Sequence, residues 1–274
     1  MDSSTVRKST LLAVFTLLSV VWVFFTIKGD DEFLGNVFTN IYYVVALLGG
    51  IFGIVTSRKW GGFKSYLGKS LGFLSAGLLF TVFGQMINSY FVLVSKLDEL
   101  PYPSVAEIGF FGAVVLYVIG AYYLGKTVGI SSFLSQKGYA KKLVIFSVPV
   151  LMFVATIGLY LMNYSSDGST LPQMILDFAY PIGQGIFAAI ALTVLFRSRD
   201  LYGGKLRMAV IVLLMSLVVQ YAADLNFLFQ NLNETWKNGG YGDYMYLLAY
   251  FLTAYGVQMF VLPKVVVASE GDAQ

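Results

Sequence analysis

Residues 79–124 read LFTVFGQMINSYFVLVSKLDELPYPSVAEIGFFGAVVLYVIGAYYL. An apolar helix carries polar residues near its end, a short acidic loop follows, and a second apolar helix is entered through Pro101-Tyr-Pro-Ser104. Residues 218–262 repeat the pattern as VVQYAADLNFLFQNLNETWKNGGYGDYMYLLAYFLTAYGVQMFVL, a period of about 140 residues. The overlay sets Gln85 against Asp224 and Glu107 against Asp243. Each helix of either hairpin reaches the ~20 residues that span a hydrocarbon core.

Composition places the rest of the chain in the same solvent. Of 274 residues, 57% are hydrophobic and 12% charged, about half the charged share of a soluble domain. The absence of Cys and His excludes disulfides, thiolate nucleophiles, His–metal sites and an imidazole base. No cofactor is expected, and the bilayer is the first partner.

Apolar runs fall at 10–27, 36–56, 70–95, 104–125, 141–162, 172–196, 207–230 and 243–263. The first follows Arg7 and Lys8 but is long, aromatic and without a small-x-small cleavage site, so it reads as a helix rather than a signal peptide. Lys and Arg in alternate loops test the count. Arg7, Lys8, Arg58, Lys59, Lys64, Lys69, Lys126, Lys137, Lys141, Lys142, Arg197, Arg199, Lys205, Arg207 and Lys264 lie on one side, 15 of the 18. Lys28, Lys96 and Lys237 lie on the other. The expected fold is an all-α integral membrane domain over 1–274, with eight transmembrane helices and both termini cytoplasmic. Two four-helix repeats, about 8–126 and 138–264, would share one orientation because four is even, and 265–274 is a polar tail. In helix 6, Asp177 and Tyr180 then match Asn40 and Tyr43 of helix 2. The expected location is the cell membrane, as a multi-pass protein.

A charge at mid-membrane costs about 2.5–3.5 kcal/mol on insertion scales and needs a reason. Asp224 is the acid well inside a span. Near its depth lie Gln85 and Asn88 on helix 3, Asn226 on helix 7, and Asp177 and Gln184 on helix 6. Asp177, Tyr180, Pro181 and Gln184 share a face by spacing, and Pro181 would kink the helix and free a carbonyl. Glu107 and Asp243 stand at the outer ends of helices 4 and 8. An outward cavity of carboxylates, amides and tyrosines would suit a cation or amine. Purely structural roles stand beside that: interhelical hydrogen bonds, and acids in first helical turns for Glu107, Asp177 and Asp243. Asp224 lies late in its helix, where the dipole works against it.

Gly240-Tyr-Gly-Asp243 matches the Gly-x-Gly-Asp signature of intramembrane aspartyl proteases, but the Tyr-Asp and Pro-Ala-Leu partners are missing. Asn163 and Asn233 begin glycosylation sequons in outside loops. The basic inner loops are topogenic and imply no nucleic acid.

Pro101-Tyr-Pro-Ser-Val-Ala-Glu107 with Ile-Gly-Phe-Phe resembles the Pro-Ser-x-Ala-Asp-x-x-Tyr-Leu element of multi-helix membrane modules. Such modules stand N-terminal to some prokaryotic diguanylate cyclases, phosphodiesterases and histidine kinases. Asp177-x-x-Tyr-Pro-x-x-Gln184 is similar to their Asp-x-x-Tyr-Pro-x-x-Asp, with Gln in place of the last acid. The resemblance covers most of the chain from helix 2 and implies a sensor. No cyclase or kinase follows here, so the expectation is a stand-alone, non-enzymatic sensory module. It would bind a small molecule around Asp224, Asp177 and Gln85 and signal through a membrane or cytoplasmic partner. The alternatives are a secondary transporter of a small cationic or neutral solute, and an intramembrane enzyme using carboxylates.

Overall fold

The computed structural model describes residues 3–29, 31–95, 101–129, 147, 150, 151, 153–158, 161, 170–201 and 206–261. Among these the only regular structure is helical. The principal helices are α1 (Ser3–Lys28), α2 (Glu32–Ile41), α3 (Val44–Lys59), α4 (Tyr66–Leu93), α5 (Ala106–Thr127), α6 (Leu171–Leu201), α7 (Arg207–Leu232) and α8 (Tyr241–Gln258). Six helical stretches among the described residues are long and apolar enough to cross a membrane, with α2 and α3 together forming one of them. The chain is a multi-helix protein of membrane character. Most of the expected helix at 141–162, and the sequon at Asn163, lie outside the described residues.

Local signals place the helix ends. Asp31 accepts from the Leu34 N–H at 3.2 Å to cap α2, and Ser65 accepts from the Gly68 N–H at 2.9 Å to cap α4. Each satisfies a backbone donor that the first turn leaves without a partner. Between α3 and α4 the chain reverses through Gly61 and Gly62, both at positive φ, where other residues are strained. Tyr42 and Tyr43 join α2 to α3 with helical dihedrals and a tightened bond from Val45 N–H to Tyr42 O, so the pair runs as one bent rod. Pro181 sits inside α6, which continues through it.

Six helices pack side by side in a closed ring, in the order α3, α4, α5, α6, α7, α8 and back to α3. α1 stands outside this ring against α8 and α3. Phe15 stacks on Phe251 at 4.0 Å and Trp22 on Tyr244 at 4.3 Å. Elsewhere α1 presents Leu12, Leu17, Val20, Val23 and Phe24 outward. Residues 153–158 are helical and touch the ring from outside: the Phe153 ring lies against Gly185, and Thr156 hydrogen-bonds Tyr221.

Lipid tails are as apolar as leucine, so helices in a bilayer associate through close packing and interhelical hydrogen bonds. Both are present. Gly49 on α3 faces Ala254 on α8 with no room for a side chain, and Gly109 on α5 lies directly on the backbone of α4 at Gly84. Ser70 Oγ donates to Gly120 O at 2.9 Å, tying α4 to α5. Inside the ring, Leu71, Leu74, Leu124, Phe187, Leu213, Leu214 and Leu217 form a fully buried centre.

Candidate functional site

The ends of α4 and α7 and the starts of α5, α6 and α8 meet at one end of the ring, next to α2. All nine sequence-predicted residues lie there, but the structure divides six of them among separate hydrogen-bonded nodes and places Asn88, Gln184 and Asn226 outside these.

The first node joins α2, α4 and α8. Asp243 is 1% exposed. Its Oδ2 accepts from the Gly239 N–H at 2.7 Å and from the Thr39 hydroxyl. As the third residue of α8 it reaches back to the backbone ahead of the helix, as a capping-box acid does. Gln85 Nε2 donates to Thr39 O at 3.4 Å, a long bond on the same turn of α2. Next to it, Ser89 donates to Asn40 Oδ1.

The second node joins α5 to α6. Tyr180 donates to Glu107 Oε2. One turn earlier on α6, Asp177 Oδ1 accepts from the Tyr102 hydroxyl at 2.8 Å, and Gln173 Nε2 donates to Tyr102 O at 2.9 Å. This seam is half-buried rather than sealed. Tyr180→Phe is expected to cost about 1–2 kcal/mol, since a carboxylate loses its one cross-helix donor, and thermal unfolding in detergent checks it.

The third node is Asp224 on α7, 7% exposed. Its Oδ1 accepts from Gln220 Nε2, one turn earlier, at 3.0 Å and from the Tyr246 hydroxyl of α8 at 3.0 Å. Oδ2 receives neither bond. The side-chain atoms both sealed and unpartnered among the described residues are Tyr117 Oη, Asn226 Nδ2 and Gln258 Nε2. Tyr246, Tyr250 and Tyr42 then stack in sequence at 6.0 and 6.1 Å, leading from Asp224 to the Asp243 node.

Asn226, two residues after Asp224 on α7, places its Nδ2 against Gly242 of α8. Asn88 and Gln184 are half-buried. Gln220, Thr39, Tyr246 and Tyr250 belong to the site and escaped the sequence reading. Gln220 was within reach of it, because an amide one turn before a membrane-embedded acid is its natural donor. The tyrosines were hidden among the chain's 19.

Among the described residues no group of three or more acids could hold a metal ion. The chain matches no protein family, no characterised protein and no solved structure.

Proposed function

We propose that this chain is a receptor-like membrane module that holds a small ligand beside Asp224 and passes its occupancy to a membrane or cytoplasmic partner. Asp224 carries the proposal. It is a buried carboxylate with both of its hydrogen bonds on one oxygen and no basic side chain bonded to it among the described residues. A buried charge without a counter-charge is costly to keep. Asp224→Asn retains the shape and an acceptor for Tyr246, so it is expected to lower stability by about 1 kcal/mol. Ligand affinity should fall about 30-fold or more, as when a buried charge loses its partner. A thermal-shift series on wild type and variant separates these: unfolding of the variant without ligand would make Asp224 a structural residue instead.

The proposed frame is eight spans in two four-helix repeats of one orientation, with both termini cytoplasmic. Support comes from the ring order, which maps onto itself when helices 2, 3 and 4 are exchanged with 6, 7 and 8. The two seams between repeats also correspond: Tyr180 of helix 6 meets the acid opening helix 4, and Thr39 of helix 2 meets the acid opening helix 8. The cysteine-free chain makes a direct test. Lys64→Cys should react with an impermeant maleimide only after the membrane is opened, and Lys237→Cys in intact cells; the reverse pattern would invert the topology.

One observation favours a transporter as the second reading. The inner half of the bundle, apolar in sequence, carries a polar seam. Below Gln220, Ser216 of α7 accepts from Thr253 of α8 at 3.0 Å, and Gln258 meets Thr56 at 3.0 Å further on. Flux into proteoliposomes, abolished by Asp224→Asn, would decide for transport.

A further inference from the structure

At the opposite end of the bundle from Asp224, α1, α3 and α8 converge on a cluster of hydrogen-bond donors with no carboxylate bonded to it among the described residues. Arg7 lies in the second turn of α1 and is half-buried. Its Nη1 donates to Thr56 Oγ1 at 3.3 Å and to Gln258 Oε1 at 3.4 Å, and its Nη2 to Ser3 Oγ at 3.3 Å. All three bonds are long and every acceptor is neutral. A guanidinium cannot lose its charge and is shaped for a bidentate oxyanion.

Gln258 supplies an independent sign. It is 1% exposed, its Oε1 is held by Thr56 as well as Arg7, and its Nε2 is buried without a partner. An orphaned buried donor is costly, and here it belongs to the amide that Arg7 grips. Ser4 Oγ donates to Gln258 O at 3.2 Å, which brings the first turn of α1 to the same place. A helix leaves its first backbone N–H groups without intrahelical partners, and its dipole is positive there. Lys8 follows Arg7, and Arg58 and Lys59 follow Thr56 at the end of α3.

The geometry points to a binding site for the phosphate of an anionic lipid headgroup between α1 and α3, with Arg7 as its clamp. A lipid fits better than a free phosphate because apolar side chains continue from the cluster along both helices. Val6 and Leu12 on α1 are exposed, as are Ile51 and Val55 on α3. Trp60, bonded through Nε1 to Phe260 O at 3.0 Å, marks the same rim with the ring type that favours headgroup depth.

The test uses the purified full chain in nanodiscs of phosphatidylcholine alone or mixed with phosphatidylglycerol. Wild type is expected to unfold at higher temperature in the mixed discs. On release into native mass spectrometry it should retain phosphatidylglycerol about fivefold over phosphatidylcholine, the weight of one basic residue at an anionic surface. Arg7→Gln should bring retention to parity while leaving the unfolding temperature in pure phosphatidylcholine nearly unchanged. If that variant does not fold, Arg7→Lys serves, keeping charge but losing the planar fork, and its retention should fall toward parity. Undiminished retention by whichever variant folds overturns the site. Equal protection of wild type by inorganic phosphate in pure phosphatidylcholine overturns the lipid assignment.

Discussion

Gly109→Leu is expected to abolish the folded bundle or lower its stability by about 3 kcal/mol or more, at the upper end of overpacking. A Cβ at Gly109 would stand 2.6 Å from Gly84 Cα and 2.6 Å from Phe80 O. Both neighbours are backbone of α4, so no side-chain rotation makes room. α4 and α5 form the most extensive seam in the ring, and their separation would also stretch the bond from Ser70 Oγ to Gly120 O. Ile108→Leu is the control: Ile108 is 63% exposed on the same helix and faces outward. Fluorescence-detected size exclusion in detergent, followed by thermal unfolding, should show loss of the monodisperse peak for the first variant only. A stable Gly109→Leu bundle would mean that α4 and α5 are not held backbone to backbone.

Asp243→Ala should carry the second large cost, about 1–3 kcal/mol. It leaves the Thr39 hydroxyl short of an acceptor in a buried setting, while the Gly239 N–H keeps a second acceptor, Thr39 Oγ1 at 2.9 Å. The damage should concentrate where the acid works. Hydrogen exchange should quicken in α2 and in residues 235–240, which Asp243 and Trp22 fasten down; Trp22 Nε1 donates to Gly239 O at 3.0 Å. Asp243→Asn keeps an acceptor and should lose less than half as much. Equal loss in both variants would mean that the negative charge, not the acceptor, holds α8 to α2. Asp243 and Asp224 each take two hydrogen bonds on one oxygen, but the donors differ: the Gly239 backbone and Thr39 of α2 for Asp243, the side chains of Gln220 and Tyr246 for Asp224.

Helix positions were legible because apolar run length is a direct consequence of the solvent. The runs at 70–95, 104–125 and 207–230 match α4, α5 and α7 within a few residues. The candidate residues were legible as a group at one end of the bundle, because polar side chains in lipid are conspicuous. Their division into nodes was not. Spacing puts Asp177, Tyr180 and Gln184 on one helix face, but it does not say that Tyr180 bonds Glu107 while Asp177 bonds Tyr102. The polar seam through Ser216 and Thr253, and the Arg7 cluster, were illegible for the same reason: each residue is unremarkable on its own helix.

Sequence alone determined the solvent of this protein, the approximate span of most of its helices, and which end of the bundle carries the acids. Those follow from hydropathy, length and charge, which are properties of a segment by itself. Tertiary structure decided which partners each acid takes. Thr39 with Asp243, Tyr246 with Asp224 and Arg7 with Gln258 are pairs across different helices. Such pairs depend on the rotation of each helix about its axis and on its neighbours in the ring. Packing sets both, because in a bilayer there is no difference in apolarity between lipid and neighbour to orient a helix whose sides are all greasy.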